Sequence, residues 1–427
     1  MQTFSDALPV GRSGQIESAA ASPFRVIEAD YRNDPRWVEF LSSHRDALIY
    51  HHPGWLAALE EEYGRKCTAL ACEGPDGRFH GILPLMRTRG LPWRLPGHAV
   101  GKRLSSLPRT PLCGPLAASG QALAALIEAA TALVRREPGL QLELKTTTAG
   151  LEALVPSLQS VSWRDTFIRG LPKNDAAVPL SIGPWVRAVR PCTSCESCRD
   201  FSFGNARDNH QVKWAVQKAR KLGLSMRGSP AESDLRAWYR LYLSTMRRNA
   251  VPPRPLRFFR QLLKELQPLG MMELVLADRE SCQAAQSQEH PAPIRVTGEP
   301  TAVSGSILLE FGHTVFWAFT GSEDGGSRDH SNDLTLWNCM HASCKAGYSW
   351  FDLGEVAESH PELIQFKAKW GTLRKPMYRY YYPAIPRPKS EDARAGSTPT
   401  TLLLRSLWRR LPLPVIAQLG DWLFSYL

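Results

Sequence analysis

Several large protein classes are excluded by what the sequence lacks. No stretch of the 427 residues reaches the ~18 uninterrupted apolar residues of a membrane-spanning helix. Nine widely spread cysteines favour reduced thiols over a disulfide framework. The G-x-S-x-G, H-E-x-x-H and Walker signatures are missing as well, so nothing indicates a hydrolase elbow, a zinc peptidase or a P-loop NTPase.

The N-terminal segment also lacks a recognisable targeting signal. Residues 1–23 contain no basic region followed by an apolar core, so we interpret them as a mobile leader rather than a secretory signal. We therefore expect a cytoplasmic protein.

The composition is that of a globular protein with an excess of positive charge. Apolar residues make up 43% of the chain and charged residues 22%, which predicts a sizeable core spread over two or three domains. The net charge of +11 favours anionic partners such as nucleic acid, phosphorylated molecules or a membrane surface. The charge is explained equally well if the chain is simply rich in arginine and the charge serves no binding partner. A nucleic-acid partner rests on charge alone, because no recognised binding module is present.

The first half, residues 24–175, alternates short helices with strands. A helix ending at Gly64 precedes two strands joined by a Gly-Pro-Asp-Gly turn at 74–77. An amphipathic helix then leads to "LQLELK", in which Leu140, Leu142 and Leu144 alternate as in a strand. This half is predicted to be α/β.

The second half, residues 176–383, begins with helices and continues with strands. Two strands separated only by Gly312 and His313 predict a hairpin. A polar loop, a helix and the strand "WFDLG" follow, which places the last two strands parallel with a right-handed crossover. We interpret residues 278–303 as a surface insertion. This layout resembles the GNAT acyltransferase fold, in which two parallel strands splay around the donor.

Five motifs occur in an order that resembles the Fem-type (FemAB-like) branch of the GNAT superfamily. They are "YHHPGWLAALEEEYG", "GILPL", "KARKLGL", "LYLSTMRR" and "FDLG…FKAKWG". The resemblance implies two tandem GNAT-like domains with mixed sheets flanked by helices, with the chemistry mainly in the second. The end of the chain, "WRRLPLPVIAQLGDWL", resembles tails of the subset associated with exopolysaccharide and PEP-CTERM gene clusters.

The resemblance implies an N-acyltransferase that modifies an amino group of a cell-envelope or exopolysaccharide precursor. Such an acceptor would be anionic, or linked to a nucleotide or a lipid. No tightly bound cofactor is expected, and acyl-CoA or aminoacyl-tRNA would be the donor. Neither the long helical hairpin of tRNA-dependent members nor an R/Q-x-x-G-x-G coenzyme A loop is recognisable, so the donor stays open. The alternative is a non-catalytic GNAT-like scaffold of a membrane-associated polysaccharide machine.

Lys367 and Asp352 are the candidate catalytic residues. In the family the lysine of the Phe-Lys pair stabilises transition-state charge, and this lysine corresponds to Lys367, with Phe366 shielding it from water. Asp352 follows the last parallel strand, where open α/β sheets bind ligands, and would accept the amine proton or hold the acceptor. The alternatives are a surface ion pair for Lys367 and a turn-forming role for Asp352 before Gly354.

The remaining substrate-binding candidates are cations on two helices and one tryptophan. They are Lys213, Lys218 and Lys221 on a basic helix, Arg247 and Arg248 at a helix end, and Trp370. The cations would contact phosphates of the acceptor, although a solvated helix face and the helix dipole explain them as well. Trp370 would contact substrate or serve packing.

Cys192, Cys195 and Cys198 form the segment CTSCESC, a spacing that can bind Zn²⁺ or an iron–sulfur cluster. A closed zinc site needs a fourth ligand, and the nearest candidate is His210. The family has no metal at this position, so we expect none.

Residues 384–427 are predicted to be a linker followed by an amphipathic tail. Between residues 401 and 427, leucines and Trp408 alternate with Arg405, Arg409 and Arg410, while Pro412 and Pro414 interrupt the pattern. This fits a segment lying on the inner face of the cytoplasmic membrane. Docking on the protein itself or on a second subunit is the alternative.

Overall fold

The structure is a computed structural model that describes residues 24–90, 101–172, 203–228, 231–279, 301–323, 329–384 and 399–424. The predicted leader, the CTSCESC segment and most of the predicted insertion and linker lie outside the described residues.

The first half folds into short helices and strands with well-defined caps. Its elements are β1 (Arg25–Glu28), α1 (Pro35–Ser43), a 3₁₀ turn (Ile49–His51), α2 (Pro53–Tyr63), β2 (Thr68–Glu73), β3 (Phe79–Thr88), β4 (Arg103–Ser105), β5 (Leu116–Ala117), α3 (Gly120–Arg135), β6 (Gln141–Thr146), α4 (Leu151–Leu154) and β7 (Gln159–Gly170). The His52 imidazole accepts a hydrogen bond from the Gly54 amide at the start of α2. This helix ends as predicted at Gly64, whose φ of 61° suits glycine.

The second half contains the predicted hairpin and crossover. Its elements are α5 (Ala206–Lys221), β8 (Leu224–Gly228), α6 (Glu232–Asn249), α7 (Leu256–Leu266), a 3₁₀ turn (Gln267–Leu269), β9 (Met272–Arg279), β10 (Thr301–Phe311), β11 (Thr314–Ser322), α8 (Ser331–Lys345), β12 (Trp350–Val356), α9 (Pro361–Ala368), β13 (Leu373–Tyr382), α10 (Pro399–Arg410) and α11 (Leu413–Phe424). Strands β10 and β11 pair antiparallel around Gly312 and His313, which confirms the hairpin. Strands β11 and β12 are parallel and are joined through α8.

All strands of the described residues join one mixed sheet that runs through both halves. Its order is β1-β2-β3-β4-β6-β13-β7-β12-β11-β10-β9-β8, with β5 paired to β3. Strand β13 of the second half lies beside β6 of the first, and β7 of the first half lies beside β12 of the second. The two exchanged strands also pair with each other at the centre of the sheet.

The strand order shows that the two halves are built alike. Each contains antiparallel strands, then a parallel pair connected through a helix (β4 and β6, β11 and β12), and finally the strand that crosses to the other half. Helices pack on both faces of the sheet, so the predicted mixed α/β class is confirmed. The domain boundary between residues 175 and 176 stays a prediction.

Hydrophobic packing and a buried ion pair join the two halves. Trp55 of α2 packs edge-on against Phe258 of α7, with 5.4 Å between the ring centroids. The Arg254 guanidinium contacts the Glu62 carboxylate, and both side chains are almost completely buried. Arg254 also donates to the Arg109 carbonyl at 2.6 Å. A buried charge needs its partner, so these contacts fix how the halves meet over the cleft described below.

The C-terminal helices dock on the second half and still leave an apolar stripe exposed. Trp408 and Ile416 join the core between the halves, and α11 passes so close to Pro253 that a Cβ at Gly420 would lie 2.7 Å from that ring. The exposed stripe consists of Leu402, Leu403, Leu404 and Leu407 on α10, each 52–60% exposed. Within the described residues, no helix combines the length and apolar character needed to cross a bilayer.

Candidate functional site

Strands β11 and β12 separate into a fork in the second half. They pair only from Thr314 to Phe316 on β11 and from Trp350 to Asp352 on β12. Beyond Phe316, β11 continues beside β10, whereas β12 continues beside β7. A gap therefore opens at the carboxyl ends of two parallel strands, the position at which open α/β sheets bind ligands.

A β-bulge lies on each side of this fork. The register of β11 against β10 shifts at Ala318, which is one extra residue between Trp317 and Phe319. The register of β12 against β7 shifts between Asp352 and Glu355, where Gly354 adopts a φ of 80°. Bulges disrupt the hydrogen-bond ladder and are frequent beside active sites. Here they turn backbone groups of both strands away from their ladders at the mouth of the gap.

Lys367 stabilises the β12 bulge through hydrogen bonds to its backbone. Its Nζ donates to the carbonyl oxygens of Leu353 at 2.5 Å, Gly354 at 2.9 Å and Glu355 at 3.3 Å. The residue is only 6% exposed. Burial lowers the pKa of Lys367 to about 8, although Asp352 and Glu355 act in the opposite direction. Its hydrogen-bond partners are carbonyls, whereas the surface ion pair considered above would need carboxylates.

Asp352 ends the paired part of β12, and one of its carboxylate oxygens accepts two hydrogen bonds. Its Oδ1 accepts hydrogen bonds from the Thr166 hydroxyl at 2.9 Å and from the Gly354 amide at 2.7 Å. Burial raises the pKa of Asp352 against the effect of both hydrogen bonds. The bond to Gly354 is the local turn contact considered as the alternative. The catalytic assignment of Asp352 stays a prediction.

Glu355 is a candidate that motif reasoning did not select. Its Oε1 accepts from Arg164 of β7 at 3.1 Å. Its Oε2 is buried and has no hydrogen-bond partner among the described residues. An unpaired carboxylate oxygen beside the fork can accept a proton from an incoming amine. The sequence signal for Glu355 is an acidic residue directly after the glycine of the bulge.

The fork opens into a cleft of 2320 Å³ built by both halves. Residues from the fork line one part of it, including Phe316, Asp352, Glu355 and Lys367. Strands β4, β6 and β13 line another part with Arg103, Glu143, Lys145 and Arg379. A cleft of this size can hold an extended donor together with a sugar-sized acceptor.

Comparison with known proteins identifies the region around the fork. Residues 206–367 match the family model described as "Acetyltransferase (GNAT) domain". This segment runs from the start of α5 to Lys367 and contains β11, α8 and β12. The second half carries a GNAT acetyltransferase domain. The chain is accordingly an acyltransferase.

Solved structures with the same architecture include FemX. The crystal structure of FemX aligns with a TM-score of 0.56 at 16% identity and covers 83% of this chain and 96% of its own. A conserved protein of unknown function from Bacteroides thetaiotaomicron aligns with a TM-score of 0.48 at 10% identity, covering 84% of this chain and 98% of its own. A tandem GNAT protein from the clavulanic acid pathway aligns with a TM-score of 0.44 at 12% identity, covering 86% and 100%. No curated protein matches the sequence. The FemX alignment shows that the fold is shared across both halves.

Phe366 lies on α9, and Trp370 follows directly after the end of this helix. Phe366 is half-buried, and its ring centroid lies 6.5 Å from that of Trp317. The Lys369 ammonium lies over the Phe366 ring at 4.5 Å. Trp370 is completely buried and contacts Phe203 edge-on at 5.0 Å. Neither aromatic lines the cleft, so the structure places both in the core beneath the fork.

Arg247 and Arg248 end α6 close to the end of β11. Arg248 donates to the Ser322 hydroxyl at 3.1 Å and to the Glu323 carbonyl at 3.3 Å. Its own carbonyl accepts from Arg409 of the C-terminal helix at 3.1 Å. Arg248 thus connects α6, β11 and α10. The phosphate-binding role of both arginines stays a prediction.

Lys213, Lys218 and Lys221 point to solvent from α5, which packs against α8. The Lys218 ammonium lies over the Trp214 ring at 5.0 Å. None of the three lysines lines the cleft, so the structure does not bring them together with Lys367. Their role as substrate contacts stays a prediction.

No metal centre is seen in the part of the chain that the structure describes. No group of three or more histidine, cysteine or acidic residues there is arranged to hold a metal ion. Cys192, Cys195 and Cys198 lie outside the described residues, and His210 is exposed on α5.

Proposed function

We propose that this acyltransferase transfers an acetyl or aminoacyl group to an amino group of a cell-envelope or exopolysaccharide precursor. The observation that carries the proposal is the fork of β11 and β12, which opens into the shared cleft with Lys367 and the unpaired Glu355 oxygen beside it. A gap between parallel strands suits an elongated donor. The wide cleft beside the gap suits a glycan acceptor.

The fork supplies the two groups that acyl transfer to an amine requires. The acceptor nitrogen attacks the donor carbonyl, so a C–N bond forms and the donor C–S or C–O bond breaks. Glu355 Oε2 takes the proton that the amine loses, and the leaving group takes up a proton from solvent. Lys367 holds the bulge, and its longest hydrogen bond, 3.3 Å to the Glu355 carbonyl, is the one that the developing oxyanion would replace.

Acyl-CoA is the favoured donor. The GNAT domain match supports acyl-CoA, which is the donor class of this domain. The helices that precede β9 are 18 and 11 residues long and pack on the sheet, unlike the long hairpin of tRNA-dependent Fem enzymes. Aminoacyl-tRNA remains the alternative donor, and it is the one nucleic acid that this proposal includes.

We also propose that the chain works at the inner face of the cytoplasmic membrane. The apolar stripe of α10 stays exposed although the opposite side of the C-terminal helices is docked. Arg405, Arg409 and Arg410 flank it, and these charges complement anionic lipid headgroups. A position on the membrane would bring the cleft to lipid-linked precursors.

The test is transfer of labelled acetyl from acetyl-CoA to a panel of amino sugars, free and nucleotide-linked, by the full chain. Glu355→Gln should lower kcat by roughly 10²-fold or more because the proton acceptor is lost. Lys367→Met should lower it at least as much, and Lys264→Met, which removes an exposed lysine on α7, is the matched control. Circular dichroism establishes that each variant is folded. Equal rates for folded Glu355→Gln and wild type would refute the proposed chemistry.

One observation favours the second candidate, a non-catalytic scaffold with the same fold. The three hydrogen bonds of the Lys367 ammonium all go to backbone carbonyls, as in a purely structural support. Native mass spectrometry that finds a bound precursor, together with no turnover for any donor, would favour the scaffold.

A further inference from the structure

The first half contains a second fork with its own acid and lysine. Strands β4 and β6 pair in parallel from Arg103 to Ser105, and Glu143 is the last partner on β6. In the second half Asp352 takes the equivalent position on β12. Each acid accepts from a neighbouring hydroxyl, which is Ser105 at 3.2 Å for Glu143 and Thr166 at 2.9 Å for Asp352. The duplication of the fold therefore extends to the side chains at the two forks.

The first fork differs from the second because its own backbone fills it. The Ser106 amide donates to the Glu143 carbonyl at 2.8 Å, and the Cys113 amide donates to the Lys145 carbonyl at 3.3 Å. The Lys145 ammonium donates to the Leu107 carbonyl at 2.7 Å and to the Thr110 carbonyl at 3.3 Å. With residues 106–113 in the gap, this fork cannot take an acyl donor. Its polar side chains nevertheless still line the shared cleft.

The side chains at the first fork carry more positive than negative charge. Glu143 accepts from Arg379 at 2.8 Å, and Arg103 lies 3.8 Å from its other oxygen. Burial would raise the pKa of Glu143, but Lys145, Arg379 and Arg103 together lower it to about 2. One carboxylate is therefore faced by three cations. Arg164 does not share this imbalance, because it pairs with Glu355.

Hydrogen-bond donors at the first fork are left without partners. Arg103 Nε, Arg379 Nε and Trp163 Nε1 are buried and have no hydrogen-bond partner among the described residues. All three residues line the cleft, and the Arg379 guanidinium lies 3.1 Å from the centre of the Trp163 ring. Buried donors in native proteins are almost always satisfied, so three unsatisfied donors in residues that line one cleft are an exception that a bound group would explain.

We propose that the first fork is a binding site for an anionic group of the acceptor, a phosphate or a carboxylate, held by Arg103, Arg379 and Trp163. The inference rests on the proposed function, since it assigns the acceptor to the same cleft. Excess positive charge and free guanidinium N–H groups are what phosphate and carboxylate oxygens bind. Residues of both forks line the same cleft, so one substrate can reach both forks.

Isothermal titration of the full chain with inorganic pyrophosphate and, separately, with glucuronate tests the site without any acyl donor. Arg103→Gln should weaken binding of the preferred anion by about 10-fold. Glu143→Gln should strengthen it by a similar factor, because it removes the competing carboxylate. Arg87→Gln, an exposed arginine of β3 outside the cleft, is the control and should change nothing. The preferred anion distinguishes a nucleotide- or lipid-linked diphosphate from an acidic sugar.

Opposite effects of the two substitutions would support the site, since a structural role predicts no such pattern. If Arg103→Gln does not fold, Trp163→Phe removes one donor, retains an aromatic ring of smaller size, and should weaken binding by a smaller factor. Affinities unchanged in every folded variant, or no binding of either anion, would overturn the inference. That result would leave transfer at the second fork untouched, whereas absence of transfer with intact anion binding would refute the proposed function alone.

Discussion

Lys367 illustrates how burial tunes a single residue at this site. Its ammonium is almost completely enclosed and donates hydrogen bonds to carbonyl oxygens instead of to water. Burial lowers the pKa of Lys367 to about 8, so the charge is present below about pH 8 and is lost above it. A free lysine would keep its charge for about two further pH units.

Substitution of Lys367 by arginine should therefore shift the pH dependence of transfer. Arginine stays charged across the whole range, so between about pH 7 and about pH 9.5 the wild-type rate should fall roughly 10-fold relative to Lys367→Arg. The unfolded chain binds more protons than the folded chain between about pH 8 and 10.5, so this residue's contribution to stability rises there. Loss of rate in this window is thus not unfolding driven by Lys367. Parallel pH profiles for the two proteins would contradict a role for the ammonium.

At the residue scale, the sequence located the fork but not all of its chemistry. The motif around Lys367 and Asp352 led to side chains that lie together at the mouth of the gap. Local motifs did not indicate Glu355, nor did they indicate Glu143 and the cations around it, as site residues. Their importance depends on which buried atoms lack partners and on which strands lie side by side, and neither is encoded in local spacing.

At the element scale, regular patterns were readable and exchanged strands were not. The hairpin at Gly312 and the crossover from β11 to β12 follow from turn chemistry and apolar periodicity. The sequence pattern does not predict strands β7 and β13. Arg164 and Asp165 in β7, and Arg374 and Lys375 in β13, interrupt the apolar alternation that marks a strand. These two strands lie at the centre of the sheet and line the open cleft, which allows polar side chains there.

The exposed apolar stripe of α10 should contact the membrane. The combined substitutions Leu403→Ser, Leu404→Ser and Leu407→Ser should reduce binding to phosphatidylglycerol-containing vesicles at least about 10-fold, because apolar insertion is lost. Vesicle sedimentation measures this, and phosphatidylcholine vesicles should bind weakly throughout. The docked Trp408 and Ile416 stay in place. The matched control changes Val38, Leu222 and Leu269, exposed apolar residues elsewhere, to serine. Equal loss in the control, or none in the stripe variant, would count against membrane binding.

At the scale of the whole molecule, the strand exchange makes each half depend on the other. Strand β13 pairs with β6 over five residue pairs and with β7 over eight. Strand β7 in turn covers the edge of β12 beside the fork. Removal of either half would leave a sheet edge open and the cleft incomplete. The GNAT domain is thus continuous in sequence, but strands β12 and β13 of the second half complete their hydrogen bonding with strands of the first half.

We therefore expect residues 203–384 alone to be unstable, and residues 159–384, which include β7, to remain incomplete because β6 is missing beside β13. The full chain should unfold in a single urea transition that tryptophan fluorescence and far-ultraviolet circular dichroism report at the same midpoint, since the shared strands couple the halves. Two separate transitions, or a folded and soluble 203–384 fragment, would show that the halves are independent domains and that the exchange contributes little to cohesion.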